Sequence, residues 1–247
     1  MSTPAVSLLV RTINNDCPNS CFGAVILSAS HNPGGLEEDF GIKFNNSAGA
    51  PAAENITNKI YENTKIIKNY KILDSAEKFS IEKDFSINIQ GKVVIVLVRI
   101  VSTTHLYVET MKKLFDFEKL KILFARADFS FCFDGLHGVS GPYAVEIFNK
   151  IFGVKQENLL NCDVLPDFGG HHPDPNLVYA KALVERMDIN KILDIRLVPD
   201  FGAACDGDAD RNMILGKQFF ISPSDSVAII AAFLWLNLKI YIRGVYY

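Results

Sequence analysis

The segment GAVILSASHNPGG, residues 23–35, joins an apolar run to a turn rich in Ser, His, Asn, Pro and Gly. The apolar run has the character of a strand, and the Pro- and Gly-rich turn ends that strand abruptly. The bend lifts Ser30 and His31 out of the strand. The segment therefore predicts a buried strand whose end presents a hydroxyl group, either as ordinary loop chemistry or for a reaction.

Further apolar stretches predict the fold class. KVVIVLV at residues 92–98 and FSFCFD at residues 129–134 also predict strands, and the continuous Val/Ile run of the former is typical of a strand buried on both faces. Helical spacing or capping signals predict helices at residues 52–70, from Thr103 or Thr104 through Phe115, from Pro142 to Gly153, and at 177–187. This alternation predicts an α/β fold with mixed, largely parallel sheets sandwiched by helices.

Composition limits the function classes. The chain has 247 residues, 49% of them hydrophobic and 21% charged, with a net charge of −3 and no basic stripe, so we expect no nucleic-acid partner. Its five cysteines are odd in number and lack metal-site spacing, which is typical of reduced cytosolic thiols rather than a zinc site.

The apolar run VAIIAAFLWLNLKIYI, residues 227–242, raises the question of a membrane segment. It contains Asn237 and Lys239 and is shorter than the ~20 apolar residues of a membrane span. We therefore expect a buried helix and no membrane partner, with a membrane anchor as the alternative. The N-terminus MSTPAVSLLV lacks a basic region before its apolar run and a small-residue cleavage site, so we expect no signal peptide.

The segment CDGDADR, residues 205–211, places Asp206, Asp208 and Asp210 at alternate positions. In a regular strand, alternate side chains are about 6.8 Å apart, whereas a loop that curls over Gly207 would bring them together. Three carboxylates at ~4 Å repel by roughly 1–4 kcal/mol per pair, and a divalent cation removes that repulsion. Oxygen ligands favour Mg²⁺ or Ca²⁺, and three carboxylates completed by a phosphate oxygen favour Mg²⁺. The alternative is a solvated acidic turn.

Six segments together resemble the α-D-phosphohexomutase family, most closely its eukaryotic phosphoglucomutases. The segments occur in the family's order and spacing, and the resemblance covers about residues 2–232. The segments are SASHNPGG, DFGIKFN, DGLHGVSGPY, DFGGHHPDPNLVYA, FGAACDGDADRNMILG and FFISPSDSVAIIA.

The resemblance implies an intramolecular phosphotransferase that interconverts glucose 1-phosphate and glucose 6-phosphate in the cytosol. It implies that Ser30 is the phosphoserine, that glucose 1,6-bisphosphate is the intermediate and activator, and that sugar phosphates are the partners. It also implies that the three Asp residues and an oxygen of the Ser30 phosphate hold Mg²⁺.

Four further residues match the family's site. The resemblance implies that Asp210 and Arg211 contact the sugar phosphate, and that His31 and Lys43 lie near the phosphoserine. Lys43 is our candidate for proton transfer with the sugar hydroxyl, and to act as a base it would need neighbouring cations or burial to lower its pKa. An exposed strand lysine and a structural loop histidine are the alternatives. His137, His171 and His172 lie in turns, and we expect structural roles for them.

The resemblance also predicts the domains and their limits. Residues 1–102 correspond to the C-terminal part of domain 1, 103–221 to domain 2, and 222–247 to the start of domain 3. Since the family has four domains, we expect this chain alone to turn over weakly or not at all; a non-catalytic scaffold or sugar-phosphate-binding module is the alternative function. Ala209 stands where glycine is commoner, which matters only if that position has a positive φ. The sequence predicts neither the sugar preference nor the oligomeric state.

Overall fold

The computed structural model describes residues 1–72, 82–88 and 95–237, which form two compact units. The first unit combines residues 1–51 with those from 104 onward, and the second comprises Ala52–Thr103. The strands are β1 Ala24–Leu27, β2 Ile42–Asn45, β3 Phe85–Asn88, β4 Ile95–Val98, β5 Phe131–Asp134, β6 Leu159–Leu160, β7 Phe201–Cys205, β8 Asn212–Gly216 and β9 Phe219–Ile221. The α-helices are α1 Thr3–Asp16, α2 Glu54–Ile66, α3 His105–Leu114, α4 Phe117–Phe124, α5 Gly141–Ala144, α6 Lys181–Arg186 and α7 Pro223–Asn237.

A five-stranded mixed sheet in the order β6-β5-β7-β8-β9 organises the first unit. Strands β6, β5 and β7 are parallel, whereas β7, β8 and β9 are antiparallel neighbours. The mixed α/β class predicted from the sequence is confirmed, with parallel pairing confined to β6-β5-β7 among the described residues. The loop at residues 205–211, called the acid loop below, joins β7 to β8. Because these two strands pair in antiparallel fashion, they fix both ends of the acid loop.

Helices cover both faces of this sheet because side chains of β5 alternate between them. On one face, Cys132 packs with Leu183 and Met187 of the α6 segment, and Leu183 and Met187 are fully buried. On the other face, Phe131 and Phe133 pack with α4 and with a π-helical segment, Val145–Ile151, that continues α5. Rings of Phe124, Phe131, Phe148 and Phe152 contact one another there at centroid distances of 4.6–6.4 Å.

A separate two-stranded antiparallel hairpin, β1-β2, supports the serine bend within the same unit. Ile26 of β1 is buried, but its neighbours Val25 and Leu27 are exposed. The strand predicted at residues 23–28 is therefore confirmed, with one buried face only. Helix α1 packs along β1, and its first residue, Thr3, is hydrogen-bonded to Asp208.

The second unit contains α2, β3 and β4. The helix predicted at residues 52–70 forms as α2 but ends at Ile66, and it buries none of its residues. The strand predicted at residues 92–98 lies partly outside the described residues, and its remainder, β4, pairs with β3 and with no other described strand. The expected burial on both faces is wrong for Leu97, which is 70% exposed.

The other predicted helices form with shifted ends. Helix α3 begins at His105 after the expected cap position Thr104. The helix predicted at residues 177–187 begins only at Lys181, because the side chain of Asn176 accepts hydrogen bonds from the backbone N–H groups of Val178 and Tyr179 and holds a turn there.

Helix α7 corrects another expectation. The helix forms at Pro223–Asn237, but Val227, Ile230 and Phe233 are exposed, so the expected burial is wrong for its described side chains. Within the described chain, no helix combines the length and apolar character that a bilayer crossing requires. The last part of the predicted run, residues 238–242, lies outside the described residues.

Candidate active site

The serine bend is a strained turn at the end of β1. Ser30 has φ +61°, a conformation that a residue with a Cβ adopts at a cost of about 1–2 kcal/mol. Its backbone N–H donates to the hydroxyl of Ser28 at 2.8 Å, and Ser28 in turn exchanges backbone hydrogen bonds with Gly41. The turn therefore directs Ser30 away from the strand, as the sequence predicts.

The acid loop folds so that its three carboxylates converge. One oxygen from each of Asp206, Asp208 and Asp210 lies within 4.8 Å of the others. Asp206 is fully buried and accepts hydrogen bonds from the backbone N–H groups of Asp210 and Arg211, both at 3.0 Å. Its carboxylate thereby holds the loop in the curled form that the strand geometry alone would not give.

The two loops meet at Asp208. The hydroxyl of Ser30 donates to Oδ1 of Asp208 at 3.2 Å, although 178 residues separate the two in sequence. Gly207 permits this approach, since a Cβ there would lie 2.3 Å from the carbonyl oxygen of Ser30. Glycine is therefore required at position 207 by the contact between the loops.

Lys43 of β2 connects both loops. Its ammonium group donates to Asp208 at 2.5 Å, to Asp210 at 2.9 Å and to the Ser30 hydroxyl at 3.4 Å. Burial works against its charge, but the hydrogen bonds to Asp208 and Asp210 outweigh burial and raise the pKa of Lys43. The pKa condition for Lys43 as a proton acceptor is therefore not met in this arrangement, where it is a cation.

The carboxylates differ in protonation tendency. Burial, to which the charges of Asp208 and Asp210 add, raises the pKa of Asp206 to about 6. Burial alone would also raise the pKa of Asp208, but hydrogen bonds from Lys43 and Thr3 outweigh it and lower that pKa. The donor set consists of hard oxygens that already attract one cation, the Lys43 ammonium, so it fits a divalent ion such as Mg²⁺.

Arg211 lies beside the acid loop with its side chain 44% exposed. Its Nε is 3.2 Å from Asp206 and 3.8 Å from Asp210, which leaves part of the guanidinium open to solvent. His31 follows Ser30, and its buried Nδ1 has no hydrogen-bond partner among the described residues. The structure therefore brings Ser30, Lys43 and the acid loop together, and it places His31 beside them without a described hydrogen bond to the carboxylates.

The turn histidines lie outside the carboxylate cluster. Nδ1 of His137 is 2.9 Å from the carbonyl oxygen of Asp163, and the ring of His172 stacks on Tyr179 with centroids 4.5 Å apart. Within the described chain, the three Asp residues alone form a group that could hold a metal ion.

The sequence analysis missed Thr3. Its hydroxyl donates to Oδ2 of Asp208 at 2.5 Å across a separation of 205 residues. The sequence Ser2-Thr3-Pro4 has a helix-start pattern, with Ser2 as cap and Pro4 in the first turn, and α1 does begin there. That local signal predicts the helix but contains no information on a contact with the acid loop.

Comparison with known proteins agrees with this geometry. The family profile described as phosphoglucomutase/phosphomannomutase, alpha/beta/alpha domain I, matches residues 1–71, and that of domain II matches residues 105–218. The chain is 53% identical over 242 residues to phosphoglucomutase-1 of Paramecium tetraurelia and 52% identical over 232 residues to a cytoplasmic phosphoglucomutase of Mesembryanthemum crystallinum. Each match covers 94% of the chain and 40–41% of the relative.

A solved structure gives the same result. The open form of the exocytosis-sensitive phosphoprotein pp63/parafusin, a phosphoglucomutase from Paramecium, superimposes with a TM-score of 0.90 and 52% sequence identity. The match covers 97% of this chain and 43% of the Paramecium chain. The chain thus spans about two fifths of the length of the relatives that it matches.

Proposed function

The chain belongs to the phosphoglucomutase/phosphomannomutase family, and from that membership we propose that it carries the phosphoserine and metal loops of a phosphoglucomutase. The proposed reaction interconverts glucose 1-phosphate and glucose 6-phosphate through glucose 1,6-bisphosphate. The observation that carries the proposal is the 3.2 Å contact between the Ser30 hydroxyl and Asp208, with Lys43 bonded to both.

In the proposed reaction, the phosphoryl group of phosphorylated Ser30 passes to a sugar hydroxyl. The bond from Oγ of Ser30 to phosphorus breaks and a bond from the sugar oxygen to phosphorus forms. The hydroxyl proton leaves the sugar oxygen for solvent, and Oγ of Ser30 takes up one proton. The second phosphate of the bisphosphate then returns to Ser30 in the reverse sense. Such transfers depend mainly on alignment and on stabilisation of negative charge.

Lys43 is our candidate for proton transfer, and we propose that it donates a proton to Oγ of Ser30. Because Asp208 and Asp210 raise its pKa, Lys43 enters the reaction as an ammonium group. It lies 3.4 Å from Oγ of Ser30, where a proton is needed when the seryl oxygen loses its phosphoryl group. His31, whose buried Nδ1 lacks a described partner, is the second candidate on the serine bend.

Mg²⁺ is the proposed cofactor, and Asp206, Asp208 and Asp210 with an oxygen of the Ser30 phosphate would hold it. When bound, it supplies positive charge for the transferring phosphoryl oxygens. Asp210 and the open part of Arg211 are the proposed contacts to the sugar phosphate, since a planar guanidinium suits phosphate recognition.

The relatives also support a location and domain limits. We propose a cytoplasmic location, because several relatives are named as cytoplasmic phosphoglucomutases. We propose the domain limits 1–102, 103–221 and 222–247, and the domain II profile, which begins at residue 105, supports a boundary near residue 103.

Phosphorylation of Ser30 tests the proposal. The chain is incubated with glucose 1,6-bisphosphate and MgCl₂, and its intact mass is measured. We expect one phosphate per chain, none after Ser30→Ala, none in EDTA, and no change after Ser47→Ala, a substitution of an exposed turn serine. Unchanged phosphorylation of the Ser30→Ala variant would contradict the proposal. Binding of the bisphosphate without phosphorylation would instead favour the non-catalytic alternative.

A further inference from the structure

Thr3 forms two hydrogen bonds with one residue of the acid loop. Its backbone N–H donates to the carbonyl oxygen of Asp208 at 2.9 Å, and its hydroxyl donates to Oδ2 of the same residue at 2.5 Å. Thr3 is 8% exposed and Asp208 is 3% exposed. Since water is largely excluded, loss of the hydroxyl would leave Oδ2 with Lys43 as its remaining described donor, and solvent could not easily replace the lost hydrogen bond.

The start of α1 is held in place independently of Asp208. The backbone N–H of Ser2 donates to the hydroxyl of buried Tyr143 at 3.1 Å, and the ring of Tyr143 packs edge-on against Tyr107 with centroids 5.2 Å apart. The side chain of Ser2 also caps the helix by accepting from Ala5. Because these contacts do not involve Asp208, they fix the position from which the Thr3 hydroxyl donates.

The hydroxyl of Thr3 thereby constrains the orientation of the Asp208 carboxylate. Oδ2 accepts hydrogen bonds from the Thr3 hydroxyl and from the Lys43 ammonium, while Oδ1 accepts one from the Ser30 hydroxyl at 3.2 Å. The N-terminal end of the 14-residue helix α1 adds a favourable electrostatic contribution, since helix N-termini stabilise neighbouring negative charge. The Thr3 hydroxyl at the start of α1 is therefore placed to donate to the Asp208 carboxylate and to orient it.

We infer that Thr3 is a positioning residue, which orients Asp208 for cation binding beside Ser30 through the hydrogen bond from its hydroxyl. The inference rests on the proposed metal site. Partners that orient metal ligands commonly contribute 10- to 100-fold in metal affinity, whereas removal of an unrelated buried hydroxyl changes affinity little.

Mn²⁺ affinity measures this role without any turnover. The chain is titrated with Mn²⁺, the free ion is measured by electron paramagnetic resonance, and binding is normalised to the folded fraction from circular dichroism. We expect Thr3→Val, which keeps the branched shape, to bind Mn²⁺ about tenfold or more weakly. Thr3→Ser, which keeps the hydroxyl, is expected to retain nearly the wild-type affinity.

Two further variants keep the test decisive. Thr110→Val is the control, since Thr110 is a half-buried helical threonine whose hydroxyl donates to the carbonyl oxygen of Leu106 in its own helix. We expect wild-type affinity from it. Thr3→Ala removes the same hydroxyl and introduces alanine, a better helix former than valine, so it replaces Thr3→Val if that variant folds poorly.

The outcomes separate the inference from the proposed function. Wild-type affinity in the Thr3→Val and Thr3→Ala variants would overturn the inference while leaving the metal site intact. An equal loss in Thr3→Ser would also overturn it, since the hydroxyl would then not be the cause. Failure of the unsubstituted chain to bind Mn²⁺ would instead refute the proposed metal site and the inference with it.

Discussion

The serine loop, residues 28–35, and the acid loop, residues 205–211, contribute to one site but rest on unlike supports. The serine loop follows β1 and belongs to the connection of a two-stranded hairpin that exposes one face, with Val25 and Leu27 more than 60% exposed. The acid loop joins two strands of the five-stranded sheet, where Ala204 and Leu215 are fully buried. The sheet therefore fixes both ends of the acid loop, whereas the serine loop is positioned largely by what it contacts.

The contacts between the loops are few and specific. Gly207 lies against the backbone of Ser30, and Lys43 and Asp208 are each bonded to the Ser30 hydroxyl. Because the hairpin buries little apolar surface, the position of the serine loop depends on these contacts more than the position of a strand in the sheet would depend on comparable contacts. Substitutions in the two regions should consequently affect different properties.

The largest expected difference between the regions is in stability. Leu183 packs fully buried beneath the sheet, so Leu183→Ala should lower the free energy of unfolding by about 3 kcal/mol, within the range for buried leucines. Leu27→Ala, on the exposed face of the hairpin, should lower it by less than about 0.5 kcal/mol. Urea unfolding followed by circular dichroism measures both. Equal losses would show that the hairpin is as well supported as the sheet.

A smaller but more local effect is expected where the loops touch. Gly207→Ala places a methyl group against the carbonyl oxygen of Ser30 and the ring of Phe168, and one of the loops must then shift at a cost of about 2 kcal/mol. Because the hairpin is the less supported partner, we expect the serine loop to move and phosphorylation of Ser30 to slow by about 100-fold.

Gly216→Ala is the control for this substitution. A Cβ at position 216 meets only Phe219 at an ordinary contact distance of 3.9 Å. Its phosphorylation rate should equal that of the unsubstituted chain. If Gly207→Ala phosphorylates at the rate of Gly216→Ala, the close approach of the loops has no part in positioning Ser30.

The comparison also explains what the sequence could predict. The bend at Ser30 and the curl of Asp206, Asp208 and Asp210 follow from local turn chemistry, and these features are where the sequence placed them. The contact of Thr3 with Asp208 spans 205 residues, and no local pattern encodes it.

Burial was predicted less well than element type. An apolar run such as residues 95–98, or α7, specifies a strand or a helix but not the surface that would cover it. Both were expected to be buried, and their described side chains are largely exposed. The helix predicted from residue 177 begins only at Lys181 for a local reason. The side chain of Asn176 accepts hydrogen bonds from backbone N–H groups that a helix would otherwise use.

The smallest expected effect concerns backbone strain, which the two loops share. Ser30 and Ala209 both have φ +61°, a region in which a Cβ is unfavourable. At Ser30 the strain cannot be removed without removing the hydroxyl. At Ala209 the structure meets the condition under which glycine would matter, so Ala209→Gly should raise the free energy of unfolding by about 1 kcal/mol. Ala48→Gly, in an exposed turn without positive φ, should lower it slightly. If both substitutions lower the free energy of unfolding measured in urea, strain at Ala209 is negligible. Of the two loops, only the serine loop would then contain a strained residue.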